Sequence, residues 1–86
     1  MALRLERVET LAVSKSKDVP VGYRRFILCN TGEEPVYFRP ADGKKTTASN
    51  GFPLYPQQRT DVITAEVLSV AAEDKGELRI LYVREE

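Results

Sequence analysis

The 86-residue chain contains no histidine and no tryptophan, one methionine and a single cysteine. Each shortage closes a class of function. Without histidine there is no side chain whose ordinary pKa lies near neutrality, and the commonest metal ligand is missing with it. A lone thiol can neither close an internal disulfide nor complete a four-ligand zinc site. No metal, no cofactor and no catalytic residue is therefore expected. One unpaired cysteine suits a reducing compartment. Neither sign of charge is in excess, because thirteen Lys and Arg balance thirteen Asp and Glu. A protein living on nucleic-acid phosphates carries a basic surplus, so nucleic acid is not expected as a partner. The longest apolar run, Phe26 to Cys29, is far too short to cross a bilayer. The opening MALRLERVET alternates charge and hydrophobe, unlike the apolar stretch of a signal peptide. These absences predict one soluble domain, residues 1–86, made in a cytoplasm and away from membranes. A chain of this size buries only roughly 60–65% of its unfolded surface. With disulfide and metal excluded, association is the remaining source of extra stability.

What is present is punctuation. Turn signals stand at Asp18-Val19-Pro20, Asn30-Thr31-Gly32, Asp42-Gly43, Asn50-Gly51, Pro53 to Pro56 and Asp74-Lys75-Gly76, leaving no room for long helices. The segments between them are rich in Val, Ile, Tyr, Phe and Thr, which suit a pleated surface. The pattern predicts an all-β fold, a small antiparallel β-sandwich or jelly-roll-like barrel of six to seven short strands. In ELRILYVRE, Leu78, Ile80 and Tyr82 point one way as a core face, and Arg79, Leu81 and Val83 the other. Residues 21–29 place Val21, Tyr23, Ile27 and Cys29 on one face, which puts Cys29 inside the sandwich, and Phe26 and Leu28 on the other. Strands apolar on both faces belong inside a sandwich or at an interface. Near the N-terminus the parity of Leu3 and Leu5 passes to Val8 and Thr10, then back to Leu11 and Val13. A β-bulge near Glu6-Arg7 would account for the slip; a short helix through Leu5, Val8 and Ala12 is the competing reading. Segment 59–71 has the same ambiguity, and its β-branched content favours strand.

The signals for chemistry are weak. Asp42-Gly43-Lys44-Lys45-Thr46 resembles the end of a phosphate-binding loop, but position 38, where that pattern needs glycine, is Phe. The carboxylate pairs Glu33-Glu34, Glu73-Asp74 and Glu85-Glu86 lie at turns or the terminus, without the burial that separates catalytic pKa values. Cys29 has no base to activate it. Arg24-Arg25 and Lys15-Lys17 read as surface charges paired with neighbouring acids. The stretch VYFRPADGKKTTASNGFPLYP, Val36 to Pro56, is different. It sets bulky apolar groups in a segment too proline-rich for a central strand. Residues 40–58 are expected to form an ordered loop, with Asp42-Gly43 and Asn50-Gly51 as positive-φ turns. Phe52, Leu54 and Tyr55 would face a neighbouring subunit, or else plug an open end of the sandwich.

At these residues the chain resembles small β-sandwich virion proteins of tailed bacteriophages and prophages. The resemblance lies in Tyr37-Phe38-Arg39, Asp42-Gly43, the run Thr46-Thr47-Ala48-Ser49, then Gly51, Pro53 and Leu54. RVETLAVSKS, from Arg7, and the closing GELRILYVRE extend it over most of the chain. Gln57-Gln58-Arg59 stands where those proteins carry a glycine-containing turn. The resemblance implies a virion structural protein, first of all a head decoration (cement) subunit that stabilises the shell. It names the major capsid protein or other virion subunits as partners and implies a homo-oligomer, such as a trimer. Partner contacts would fall on Tyr37, Arg39, Phe52, Leu54 and Tyr55. A tail, baseplate or connector subunit is the close alternative. A host-surface or carbohydrate-binding module using Tyr37 and Tyr55 is the alternative of another class.

Overall fold

The computed structural model describes residues 2–85, and these form strands and turns without a helix. In chain order the strands are β1 (Leu3–Val13), β2 (Lys17–Pro20), β3 (Arg25–Asn30), β4 (Val36–Pro40), β5 (Phe52–Leu54), β6 (Ile63–Thr64), β7 (Val67–Ala71) and β8 (Gly76–Glu85). Eight strands replace the expected six or seven. The short β5 and β6, with three and two residues, are below the length at which alternation registers in a sequence.

The strands make two antiparallel sheets, sheet A in the order β1-β8-β3-β6 and sheet B in the order β2-β7-β4-β5. The pairing follows one rule: first with last, β2 with β7, β3 with β6, β4 with β5. The chain is thus one long hairpin, tipped by the β4–β5 connection and rolled up so that β8 also meets β3 and β7 also meets β4. This is the jelly-roll form of the sandwich. Its core is Phe26 and Leu28 of β3, Leu78, Ile80 and Tyr82 of β8, Leu68 and Val70 of β7, Val36 of β4 and Leu54 of β5, with Val13, Val19 and Val21. The alternation of Leu78, Ile80 and Tyr82 produces this directly: all three are buried, while Arg79 between them is exposed.

The bulge in β1 is present. Register with β8 is unbroken except between Leu5, opposite Val83, and Arg7, opposite Tyr82, so Glu6 is the extra residue. Its effect is to exchange faces. Leu3, Leu5, Val8 and Thr10 all lie on the outer side of sheet A, opposite Glu85, Val83, Leu81 and Arg79. Arg7, Glu9, Leu11 and Val13 lie on the inner side, opposite Tyr82, Ile80, Leu78 and Gly76. Without the extra residue Val8 would point inward and Arg7 outward.

The expectation for residues 21–29 needs correction. The strand begins only at Arg25, because Gly22 (φ 67°) and Tyr23 (φ 60°) both adopt left-handed backbone. They form a tight turn whose Val21, Gly22 and Tyr23 N–H groups donate to the carbonyls of Glu66 and Ala65. Val21 and Tyr23 therefore do not share a face with Ile27 and Cys29. The core face of β3 is Phe26, Leu28 and Asn30. Ile27 and Cys29 face outward and are half-buried, Cys29 opposite Arg79 and bridged to Arg59. Residues 59–71 contain β6 and β7, as their β-branched content predicts.

One buried polar residue organises the far end. Asn30, 1% exposed, donates its side-chain N–H groups to the carbonyls of Leu54 (2.8 Å) and Glu34 (2.9 Å) and accepts from the Gly32 N–H (2.9 Å). Its backbone exchanges hydrogen bonds with Gln57 and Gln58. A turn with Pro56 and Gln57 at its centre, closed by Gln58 N–H to the Tyr55 carbonyl, puts Gln57 at φ 68°. Gln57 thus takes up the conformation that glycine usually supplies.

Candidate functional site

The stretch from Val36 to Pro56 is the tip of the rolled hairpin: β4, a connection, and β5 at the edge of sheet B, where Pro53 costs no central ladder bond. The connection, residues 41–51, folds back over the outer face of sheet B. Thr46 is buried there. Its hydroxyl meets Ser69, also buried, at 2.5 Å, and its N–H donates to the Ser16 hydroxyl. Asn50 braces the connection by accepting from the Thr47 N–H (2.7 Å) and donating to the Lys45 carbonyl (3.0 Å). Asp42 accepts from the Lys44 N–H and pairs with Arg39. The Lys44 N–H, with the Arg39 and Lys44 charges, holds the Asp42 carboxyl below its ordinary value. Gly43 has the expected positive φ (87°); Gly51 does not. Gly51 is required for room instead, because a Cβ there would stand 2.9 Å from Thr46 Cγ2 and 3.0 Å from Tyr37 Cβ.

The five expected contact residues are not brought into one patch. Tyr37 and Arg39, opposite Ala71 and Ser69, lie half-buried on the outer side of sheet B. Leu54 is 4% exposed and packs into the core, so it offers nothing to a partner. Phe52 is 69% exposed and rests on Phe38 with ring centroids 6.0 Å apart. Tyr55 is exposed just beyond β5. The loop therefore serves partly as the plug and partly as a projecting edge: Leu54 does the first, Phe52 and Tyr55 the second.

A second exposed apolar surface lies on the opposite sheet. Leu3 (51% exposed), Leu5 (54%) and Val8 (49%) form a row on the outer side of β1. Half-buried Leu81 lies opposite Val8, and half-buried Ile27 lies opposite Leu81 on β3. The row is continuous from the edge strand to the third strand. A solvated antiparallel sheet face normally carries polar residues at these positions, and contiguous exposed apolar surface marks interaction sites. The sequence signals for it were the two-sided apolar pattern of β8 and the slip of parity at Glu6.

Beside this row, at the end of sheet A, Glu6, Arg7, Arg24, Arg25, Arg84 and Glu85 line an open groove floored by Tyr82. Arg7 lies 4.5 Å and Arg24 5.8 Å from the Tyr82 ring centroid, and Arg25 pairs with Glu85 at 3.0 Å. These contacts cap the end of the core with charge, each guanidinium contributing about 0.5–1 kcal/mol at such exposed positions. No group of His, Cys, Asp and Glu that could hold a metal ion occurs among the described residues. No protein-family model matches the chain, and no curated protein or solved structure is significantly similar to it.

Proposed function

We propose that the chain is a non-catalytic structural subunit that works by protein–protein contact, as a virion component of a tailed bacteriophage or prophage. Its most specific form is a head decoration subunit that binds the major capsid protein and stabilises the shell by added contacts. A tail, baseplate or connector subunit would use the same mechanism on another neighbour. The observation that carries the contact reading is the exposed row Leu3, Leu5 and Val8 on the outer side of sheet A. The phage reading is supported by the resemblance of residues 30–56. The fold alone is neutral here, since jelly rolls serve capsids and lectins alike.

The size of the row sets the terms of binding. Full burial of a Leu or Val side chain is worth roughly 1.5–3 kcal/mol. These three are already about half covered, so their burial yields about 2–4 kcal/mol in total. That corresponds to no better than about millimolar affinity before ordering costs. A single copy would bind weakly, and useful attachment requires many contacts at once.

The test is assembly. The structural genes flanking this one are expressed with and without it, and particles are sedimented. The chain should cosediment, and a Leu5→Ser/Val8→Ser variant with unchanged folding should stay in the supernatant. Complete particles that neither contain the chain nor gain stability from it would overturn the proposal.

A further inference from the structure

β1 is the edge of sheet A, eleven residues long, with β8 on one side only. Along its open side alternate N–H and C=O groups point away from β8, a template for another strand. Two features of β1 say which strand fits. Its charges run Arg4, Glu6, Arg7, Glu9, plus-minus-plus-minus. Read backwards, every sign is reversed. An antiparallel second copy centred between Glu6 and Arg7 therefore sets Arg4 opposite Glu9 and Glu6 opposite Arg7, each pair twice by symmetry. The same register sets Leu5 opposite Val8 and Leu3 opposite Thr10.

The second feature is the bulge. A regular strand cannot pair with itself about a point between two residues, because adjacent side chains face opposite sides. Here Glu6 is inserted, and Glu6 and Arg7 together oppose Tyr82. Residues 3 and 5 consequently share the outer side with 8 and 10. The bulge supplies the parity that the charge pattern requires.

We infer that β1 pairs antiparallel with β1 of a second copy of this chain, about a two-fold axis between Glu6 and Arg7. The pairing joins two A sheets into one continuous eight-stranded sheet. The two rows of Leu3, Leu5 and Val8 meet across the axis and double the apolar surface on one face. Like charges set opposite each other across a strand pair repel; the charges of β1 alternate and complement. The Arg7–Glu9 ion pair within the strand, 3.3 Å long, is well exposed and too weak to oppose the exchange. The inference rests on reading the outer side of sheet A as a contact face, without depending on which particle that face meets.

Sedimentation equilibrium of the full chain should give twice the monomer mass. Glu6→Arg should raise the dimer dissociation constant on the order of tenfold or more, because like charges then oppose each other at two symmetric positions. Adding Arg7→Glu should restore dimerisation. In a Cys29→Ser background, Leu5→Cys/Val8→Cys should oxidise to a covalent dimer, whereas Leu3→Cys/Val8→Cys should not. A wild-type monomer at concentrations on the order of 100 μM, where a dimer with a dissociation constant on the order of 1 μM would be largely formed, would overturn the inference, as would a dimer indifferent to the charge swap and crosslinked in another register. A monomer that still cosediments with particles would sink the self-pairing alone and leave the proposed function standing.

Discussion

Replacing Asn30 by aspartate changes almost nothing in shape and reverses the chemistry of one edge. In the native protein the Asn30 side-chain nitrogen faces two carbonyl oxygens, those of Leu54 at 2.8 Å and Glu34 at 2.9 Å, inside a nearly sealed site. Aspartate puts an acceptor where two acceptors already point. If protonated, it can satisfy one carbonyl and orphans the other, at about 1–3 kcal/mol. If ionised, it keeps the Gly32 N–H but is a buried charge with no countercharge and two carbonyls against it, at about 3–5 kcal/mol. The folded variant therefore holds its proton more tightly than the unfolded chain, so the carboxyl pKa in the folded state is raised above about 3.9. A raised acid pKa means that the variant is least compromised below the unfolded value and loses stability as pH climbs through the folded one. A domain of this length has roughly 4–13 kcal/mol to lose. At neutral pH the melting temperature should fall on the order of 20 °C. Urea unfolding followed by circular dichroism, on wild type and Asn30→Asp at about pH 4.5 and about pH 7.5, measures the difference directly, and the wild type's own pH dependence cancels. An equal destabilisation at both pH values would refute the reasoning, and so would a neutral-pH loss below about 0.5 kcal/mol.

Leu54→Ala should cost about 2–5 kcal/mol because it empties a core position, whereas Phe52→Ala should cost under about 1 kcal/mol beyond its contact with Phe38; thermal melts of the two variants that coincide would contradict the separation of plug from edge. Asp42→Asn should flatten the acid limb of stability: the lowered pKa of Asp42 gives support that is present above its unfolded value and fades as pH falls through the folded one, so wild type and variant melts should converge in acid and differ at neutral pH. Gln57→Gly should raise stability by roughly 0.5 kcal/mol, the relief of left-handed backbone at φ 68° less the entropy glycine adds to the unfolded chain; a lower melting temperature would mean that the Gln57 side chain is itself needed. Gly76→Ala should destabilise by about 1–3 kcal/mol, since its Cβ would stand 2.8 Å from both Ala72 Cβ and Val36 Cγ2.

The features legible in the sequence were those with a period. The alternation of Leu78, Ile80 and Tyr82 assigned β8 and its inner face, and the slip of parity in β1 placed a bulge near Glu6-Arg7, where the register shifts. Failures fell where one residue departs from its usual backbone. Val21 and Tyr23 continue the apolar alternation of Ile27 and Cys29 in sequence, but Gly22 and Tyr23 form a left-handed turn, so that alternation set the start of the strand four residues early and exchanged its two faces. That exchange placed Cys29 inside when it lies outside beside Arg79. Asn30 read as the opening of a turn, which it is, but nothing local indicates that its amide also reaches the Leu54 carbonyl 24 residues away. Of the contact candidates, Leu54 was separable from Phe52 only through register, since both are bulky and apolar and they differ in whether Val36 or Phe38 lies opposite.

The rolled hairpin also explains why the exposed apolar row is on sheet A. A small sandwich has two outer faces, and the longest connection among the described residues lies over only one of them. That connection is the tip, residues 41–51, and Thr46 anchors it on sheet B through Ser69 and Ser16. The described residues measure only 17 Å through their thinnest dimension, about two sheets and their side chains, and none of them forms a layer over the other face. Sheet A keeps its apolar row uncovered. The charges on its edge strand, Arg4, Glu6, Arg7 and Glu9, are ordered so that each sign meets its opposite on reversal. If the proposed pairing of β1 holds, one strand supplies both the edge that joins two copies and the apolar row that their joined sheet presents.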